Sequence, residues 1–222
     1  ILLLSLLTGA VAAQTSLPSP HGANTSRAPQ SPQTIDLQGQ LGGPDYAVDV
    51  VGSYAYLGVG PRLVILNISN PANPVFVGQS ELLPDLVRDV QVVNGIAYVA
   101  ADEQGGLQII NVSNPAAPLV LSSYNTPGAA YGIAVVGPNV YVADGLPGAA
   151  LRLFEASDPA HPILRASLEL NGNPRHVAIG GDFAYVAAGY SGGLQIINIA
   201  NPLSPVLRGV RDTPGAASQV RL

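Results

Sequence analysis

The sequence predicts an all-β protein, a β-propeller built from repeated four-stranded sheets, on three observations. The stretch 105–118 (GGLQIINVSNPAAP) returns almost unchanged at 192–205, and weaker copies lie at 63–74 and 151–162. The prolines of the four Asn-Pro or Asp-Pro pairs recur 44, 44 and 43 residues apart, at Pro71, Pro115, Pro159 and Pro202. This period is the usual length of one four-stranded propeller sheet, or blade. The 25 Gly and 20 Pro indicate frequent turns between short strands.

Each repeat divides into four strand-like pieces. The first is almost continuously apolar, as in Val90–Val93, which is typical of a strand covered on both faces. The Asn94-Gly95 hairpin signal follows it. The second piece carries a tyrosine, the third is the Leu-Gln-Ile-Ile-Asn segment, and the fourth mixes polar with apolar residues, as expected for an outer strand. A solenoid is the rival architecture, but four strand-turn pieces per unit favour the propeller, and no helical period is present.

The spacing predicts four complete blades at about 46–85, 86–129, 130–174 and 175–217, with residues 218–222 beginning a fifth. The segment Thr34–Leu41 resembles the fourth strand of a preceding blade, so the propeller region spans 34–222. Either the blades belong to a larger ring, or the ring closes with four to five blades. We expect the former, with the sequence forming an open arc of that ring.

The start of the chain predicts export. Residues 1–11 (ILLLSLLTGAV) are an apolar run of signal-peptide length, too short to span a bilayer, and small residues follow. We expect residues 1–13 to be a signal peptide, truncated at its start and cleaved near Ala13. Residues 14–33, rich in Ser and Pro, are expected to be a flexible linker. The mature protein is therefore expected to be extracytoplasmic, secreted or at the cell surface, without a transmembrane span.

Composition excludes several classes of function. The net charge is −5 and there is no basic run, so nucleic acid is not an expected partner. Cys is absent, which removes disulfides, thiol catalysis and cysteine-based zinc sites. No phosphate loop, nucleophile elbow or His-Glu-x-x-His motif occurs, so no catalytic residue and no cofactor are predicted.

One repeated position provides a candidate ligand site. It lies two residues before the first branched residue of each first strand, and Tyr46, Arg88, Tyr131 and Arg175 occupy it, with His176 beside the last. In a ring these side chains would meet at the channel mouth. Arginine binds anions and tyrosine offers a stacking face, so the cluster suits a carboxylate or a sugar. The alternative is that these rim residues only pair with one another, as Arg88 would with Asp89.

A metal site is not predicted. Asp102, Glu103 and Asp144 follow second strands and offer carboxylates for Ca²⁺, but a calcium loop needs more oxygen ligands at regular spacing.

The motif Leu-Gln-Ile-Ile-Asn-x-x-Asn-Pro-x-x-Pro, preceded by Ala-Tyr-Val-Ala at Ala97–Ala100 and Ala184–Ala187, resembles the LVIVD repeat family from Tyr46 to Leu222. The third unit departs from the pattern at 153–157 (LFEAS). The resemblance implies a propeller similar to the YVTN and WD types, extracytoplasmic placement and a binding or scaffold role, with no catalytic residues. We therefore expect a binding scaffold for a protein or carbohydrate ligand at the cell surface. The alternatives are a propeller enzyme, a hydrolase or lyase with its site at the channel mouth, and a purely structural surface repeat.

Overall fold

The computed structural model describes residues 45–222. This part of the chain forms sixteen strands and two one-turn helices. The strands make four separate antiparallel sheets, each of four strands in chain order. The all-β prediction and the four-stranded repeat are thereby confirmed. The expected signal peptide, the linker and the segment Thr34–Leu41 fall outside the described residues.

The four sheets follow one another along the chain. Sheet 1 contains β1 (Asp45–Val51), β2 (Tyr54–Val59), β3 (Arg62–Asn67) and β4 (Val75–Gln79). Sheet 2 contains β5 (Asp89–Val93), β6 (Ile96–Ala101), β7 (Gly106–Asn111) and β8 (Leu119–Tyr124). Sheet 3 contains β9 (Ala130–Val136), β10 (Asn139–Asp144), β11 (Ala150–Glu155) and β12 (Ile163–Glu169). Sheet 4 contains β13 (His176–Gly180), β14 (Phe183–Ala187), β15 (Leu194–Asn198) and β16 (Val206–Arg211).

The sheets pack face to face through three hydrophobic clusters. The first strands lie side by side in the order β1, β5, β9, β13, which makes them the inner strands. The clusters join sheet 1 to sheet 2, sheet 2 to sheet 3 and sheet 3 to sheet 4. In the first three sheets the repeated tyrosine of the second strand faces the following sheet, and Tyr56, Tyr98 and Tyr141 are each buried in one of the three clusters. Each sheet hides its neighbour's apolar face, as the repeat pattern requires.

Turn chemistry sets the register of the strands. At the tight turn between β5 and β6, Asn94 and Gly95 both have positive φ (52° and 77°), which two-residue hairpins with a right-handed twist need. The Asn-Pro corners are Asx turns: the Asn114 side chain accepts the N–H of Ala116, and the Asn201 side chain accepts that of Leu203. Asparagine and proline therefore stop each third strand and redirect the chain into the fourth.

A glutamine that recurs in two repeats holds a loop in place through its side-chain amide. Gln108 and Gln195 are buried, and their side-chain amides donate to the backbone carbonyls of Gly105 and Asn171. Sheet 3 has Arg152 at the same position, and its guanidinium donates to the carbonyl of Gly148. A polar side chain at this position of the third strand thus holds a loop in three of the four sheets. The loop is the one before the third strand in sheets 2 and 3, and the one before the inner strand in sheet 4.

The sequence shows no helical period, and the described residues contain only two very short helices. Residues Asp102–Gly105 (α1) and Gly189–Gly192 (α2), interpreted as loops, each form a single helical turn. A four-residue turn is too short to show a helical period in the sequence. Gly106 and Gly193 end the two turns with φ of 55°, a conformation that favours glycine. Among the described residues, no helix has the length and apolar character needed to cross a membrane.

Candidate functional site

A cavity of about 500 Å³ lies where the chain enters the inner strands. We call it the axial pocket. It brings together four of the five residues predicted at the channel mouth, namely Arg88, Tyr131, Arg175 and His176. The fifth, Tyr46, lies in β1, and its side chain is outside what the structure describes. The remaining lining residues are Ala47, Val48, Asp89, Ser218, Gln219 and Arg221.

The backbone holds both predicted arginines immediately before an inner strand. The N–H of Arg88 donates to the carbonyl of Ala100, and that of Arg175 donates to the carbonyl of Ala187, each at 2.8 Å. These bonds continue the pairing of the first two strands of sheets 2 and 4. Both guanidinium groups are therefore carried by rigid sheet ends rather than by free loops.

Tyr131 lies between the two arginines. It belongs to sheet 3, and the guanidinium carbons of Arg88 (sheet 2) and Arg175 (sheet 4) each lie 5.6 Å from the centre of its ring. At this distance a guanidinium is attracted to the aromatic ring. The ring that the sequence offered as a stacking face for a ligand instead holds two cations close together.

Arg88 also forms an ion pair, though not with its chain neighbour. Its Nε donates to Oδ2 of Asp102 at 2.7 Å. Asp102 starts α1 with a φ of 42° and is largely buried. The short turn therefore delivers a carboxylate to the arginine from Asp102, whereas the sequence offered Asp89 as the example of a partner.

Asp89 bridges two sheets at the pocket wall. Its Oδ1 accepts the N–H of Val90, and its Oδ2 accepts the N–H of Ile133 on the next inner strand, both at 2.9 Å. Burial raises the pKa of this carboxyl from its ordinary 3.8 to about 6, against the lowering effect of those two hydrogen bonds. The nearby Asp49 raises the pKa further and Arg221 lowers it.

His176 is the repeat equivalent of Asp89 on sheet 4. Burial lowers the pKa of its imidazole, and the positive charge of Arg221 lowers it further, so the ring is neutral at pH 7. Its Nδ1 is buried and has no hydrogen-bond partner within residues 45–222. The pocket therefore contains a neutral imidazole with an unused ring nitrogen.

Two lining residues, Gln219 and Arg221, were not singled out from the sequence. The repeat register contained the signal, because Arg221 aligns with Asp49 of β1 and Gln91 of β5. The side chains of Asp49 and Gln91 reach the next inner strand. Asp49 accepts the N–H of Val92 and Gln91 accepts that of Val135, both at 2.7 Å. Side chains at this position therefore bond between inner strands or line the axial pocket. The sequence pattern had indicated this role only for the position three residues earlier.

Two of the three acidic residues considered for calcium are engaged by arginine. Asp102 pairs with Arg88, and the fully buried Asp144 accepts from Nε of Arg152 at 2.5 Å. Within the described residues, no group of three or more His, Asp or Glu side chains is arranged to hold a metal ion.

Comparison with known proteins supports the repeat analysis. The LVIVD repeat model matches residues 42–81, 86–126, 127–169 and 171–213, well over half of the chain. No curated protein matches the chain significantly.

Several solved structures share the fold at low sequence identity. A functionally unknown protein from Desulfotomaculum acetoxidans matches with a TM-score of 0.66 and 17% identity, covering 79% of this chain and 58% of its own. A protein from Lactobacillus plantarum matches with a TM-score of 0.68 and 12% identity, covering 78% and 57%. The computationally designed Ika4 protein matches with a TM-score of 0.57 and 12% identity, covering 75% and 98%. This chain thus spans less than two thirds of the two natural proteins.

Proposed function

The chain belongs to the LVIVD repeat family, and from this we propose that it is a secreted or cell-surface binding scaffold whose ligand enters the axial pocket. The observation that carries the proposal is the convergence of residues from all four sheets on one cavity. Open clefts with a few convergent polar groups are the usual location of ligand sites.

Extracytoplasmic placement is part of the proposal. Its support is the apolar run at 1–11 and the small residues up to Ala13. The proposed partner is a protein or carbohydrate of the cell surface.

An enzyme, a hydrolase or lyase, is the second candidate, and one observation favours it. Asp89 and His176 both line the axial pocket, and the pKa of each is shifted from its ordinary value. Such shifts are common at catalytic sites. However, the two carboxylate oxygens of Asp89 each accept a backbone N–H, which accounts for its position by strand-to-strand pairing alone. We therefore favour binding over catalysis.

The test is a glycan and peptide array probed with four forms of the chain. Arg175→Ala and Arg88→Ala remove guanidinium groups from the pocket, whereas Arg208→Ala removes an exposed one from β16. We expect a ligand signal with the unaltered chain, a loss of at least tenfold in both pocket variants, and an unchanged signal with Arg208→Ala. Equal signals from all four forms would exclude the pocket as the binding site. Cleavage of the arrayed ligand rather than its retention would favour the enzyme.

A further inference from the structure

The axial pocket contains three guanidinium groups and one carboxylate. Arg88, Arg175 and Arg221 line it together with Asp89. Arg175 and Arg221 are exposed, and no ion pair of either is found among the four that the described residues form. The excess positive charge at the mouth therefore contrasts with the net charge of −5 of the whole sequence. A concave site of one charge sign attracts ligands of the opposite sign.

The position of Tyr131 argues against a neutral sugar. Recognition of uncharged sugars by stacking needs an open aromatic face, and among the described residues that line the pocket Tyr131 is the one with a phenyl-type ring. Its ring is approached by Arg88 and Arg175 from the two sheets that flank its own. The tyrosine therefore fixes the two cations, and these cations are what the pocket presents to a ligand.

The inner strands argue against an extended peptide. A peptide commonly binds a sheet by pairing its backbone with free N–H groups. Here three inner-strand N–H groups, those of Val92, Ile133 and Val135, are already bonded to side-chain oxygens of Asp49, Asp89 and Gln91. The backbone at the axis therefore has little pairing capacity for a peptide strand.

The remaining polar groups suit hydroxyl groups. Ser218, Gln219 and the neutral imidazole of His176 lie on the pocket wall. Hydroxyl, amide and imidazole groups can donate to or accept from sugar hydroxyls.

Building on the proposed function, we propose that the axial pocket binds an acidic carbohydrate, with the sugar carboxylate held by the guanidinium groups of Arg175 and Arg221. The cavity of about 500 Å³ takes a short stretch of sugar rather than a long chain. Arginine suits the role because its planar fork matches the two oxygens of a carboxylate.

The pH dependence of binding follows from the charges around the pocket. Asp89 opposes an anion while it is ionised, and its pKa is about 6. The charged groups beside it are Asp49 and Arg221, and the pocket also contains Arg88, Arg175 and the neutral His176. Lowering the pH through 6 neutralises Asp89 and leaves the arginines charged. Binding of an acidic sugar is therefore expected to tighten over this range, and Asp89→Asn is expected to remove most of the change.

The experiment is calorimetric titration of the 222-residue chain with three probes: a galacturonic acid trimer, the corresponding galactose trimer and pentaglutamate. We expect the dissociation constant for the acidic trimer to be at least tenfold lower than for either other probe. Arg175→Ala and Arg221→Ala are each expected to weaken its binding at least tenfold, while Arg208→Ala, the matched exposed arginine on β16, leaves it unchanged.

Each other outcome overturns the proposal in a distinguishable way. Equal binding of the neutral trimer removes the role of the carboxylate, and tighter binding of pentaglutamate makes the ligand a peptide. If no probe binds but the arrays identify another ligand that depends on Arg175, the acidic-sugar proposal fails and the binding function stands. If the arrays are also blank, both fail.

Discussion

Sheets 1 and 4 carry the same repeat at very different burial. Val48 on β1 and Val177 on β13 occupy equivalent positions, yet Val48 is 64% exposed and Val177 is 1% exposed. Val177 packs into the cluster between sheets 3 and 4. The corresponding face of sheet 1 meets none of the three clusters that join the described sheets. The repeat therefore specifies an apolar face, and only a neighbouring sheet decides whether that face is buried.

The other faces of sheets 1 and 4 also differ in how closely a neighbouring sheet covers them, and two glycines show it. Gly78 pairs with Ile65 in sheet 1, and Gly209 pairs with Ile196 in sheet 4, at equivalent positions. A Cβ on Gly78 would overlap the carbonyl oxygen of Pro115, the Asn-Pro corner of sheet 2, whereas a Cβ on Gly209 would meet nothing within 4 Å. The corners of sheets 2 and 3 thus rest on the fourth strand of the sheet before them, and on the fourth strand of sheet 4 the surface at Gly209 is open.

The largest expected effect tests the two valines. Val177→Ala leaves a cavity in a cluster and should lower the free energy of unfolding by about 2 kcal/mol. Val48→Ala removes the same atoms from an exposed face and should cost less than about 0.5 kcal/mol. Urea unfolding followed by circular dichroism measures both values. Similar losses in the two variants would show that the face of sheet 1 is covered in solution.

The two glycines should give a difference of comparable size. Gly78→Ala forces the sheet 1 strand away from the Pro115 corner and should destabilise the protein by about 1–3 kcal/mol. Neither glycine has positive φ. Gly209→Ala is therefore expected to be neutral or to stabilise by about 0.4–1 kcal/mol, because alanine lowers the entropy of the unfolded chain. The unfolding midpoints report the difference, and a destabilised Gly209→Ala variant would contradict the open surface on sheet 4.

The smallest effect concerns Asp89 of sheet 2 and its repeat equivalent, His176 of sheet 4. The Asp89 side chain bonds to the next sheet, whereas Nδ1 of His176 has no partner in residues 45–222. The pKa of Asp89 is raised in the folded protein, so its contribution to stability is fully present below about pH 4 and is lost as the pH rises through about 6. Asp89→Asn should flatten this part of the stability curve. Partial contact with water keeps the change small. Thermal melts between pH 4 and pH 7 test it, and parallel curves for the two proteins would assign the slope to other groups.

Much of the fold could be predicted because the same pattern of strands and turns occurs in four repeats. The proline spacing predicted the repeat length, and Asn94-Gly95 predicted a hairpin. The apolar character of the first strands indicated that they are covered on both faces, as inner strands are. The two one-turn helices were missed because four residues carry no period. At the site, the register located Arg88, Tyr131, Arg175 and His176 at one cavity. It could not show that Arg88 pairs with Asp102 rather than Asp89, because that depends on the path of α1.

The sequence by itself determined the repeating sheet, its turns and which residues lie at the start of each inner strand, because these follow from local periodicity and backbone preference. Only the tertiary structure decided that Tyr131 holds two guanidinium groups, that Asp89 bonds across sheets with a raised pKa, and that Val48 and Gly209 lie on open faces. The physical reason is that burial, ion pairing and electrostatic shifts depend on which sheet lies opposite, and a residue's own sequence neighbourhood does not contain that information.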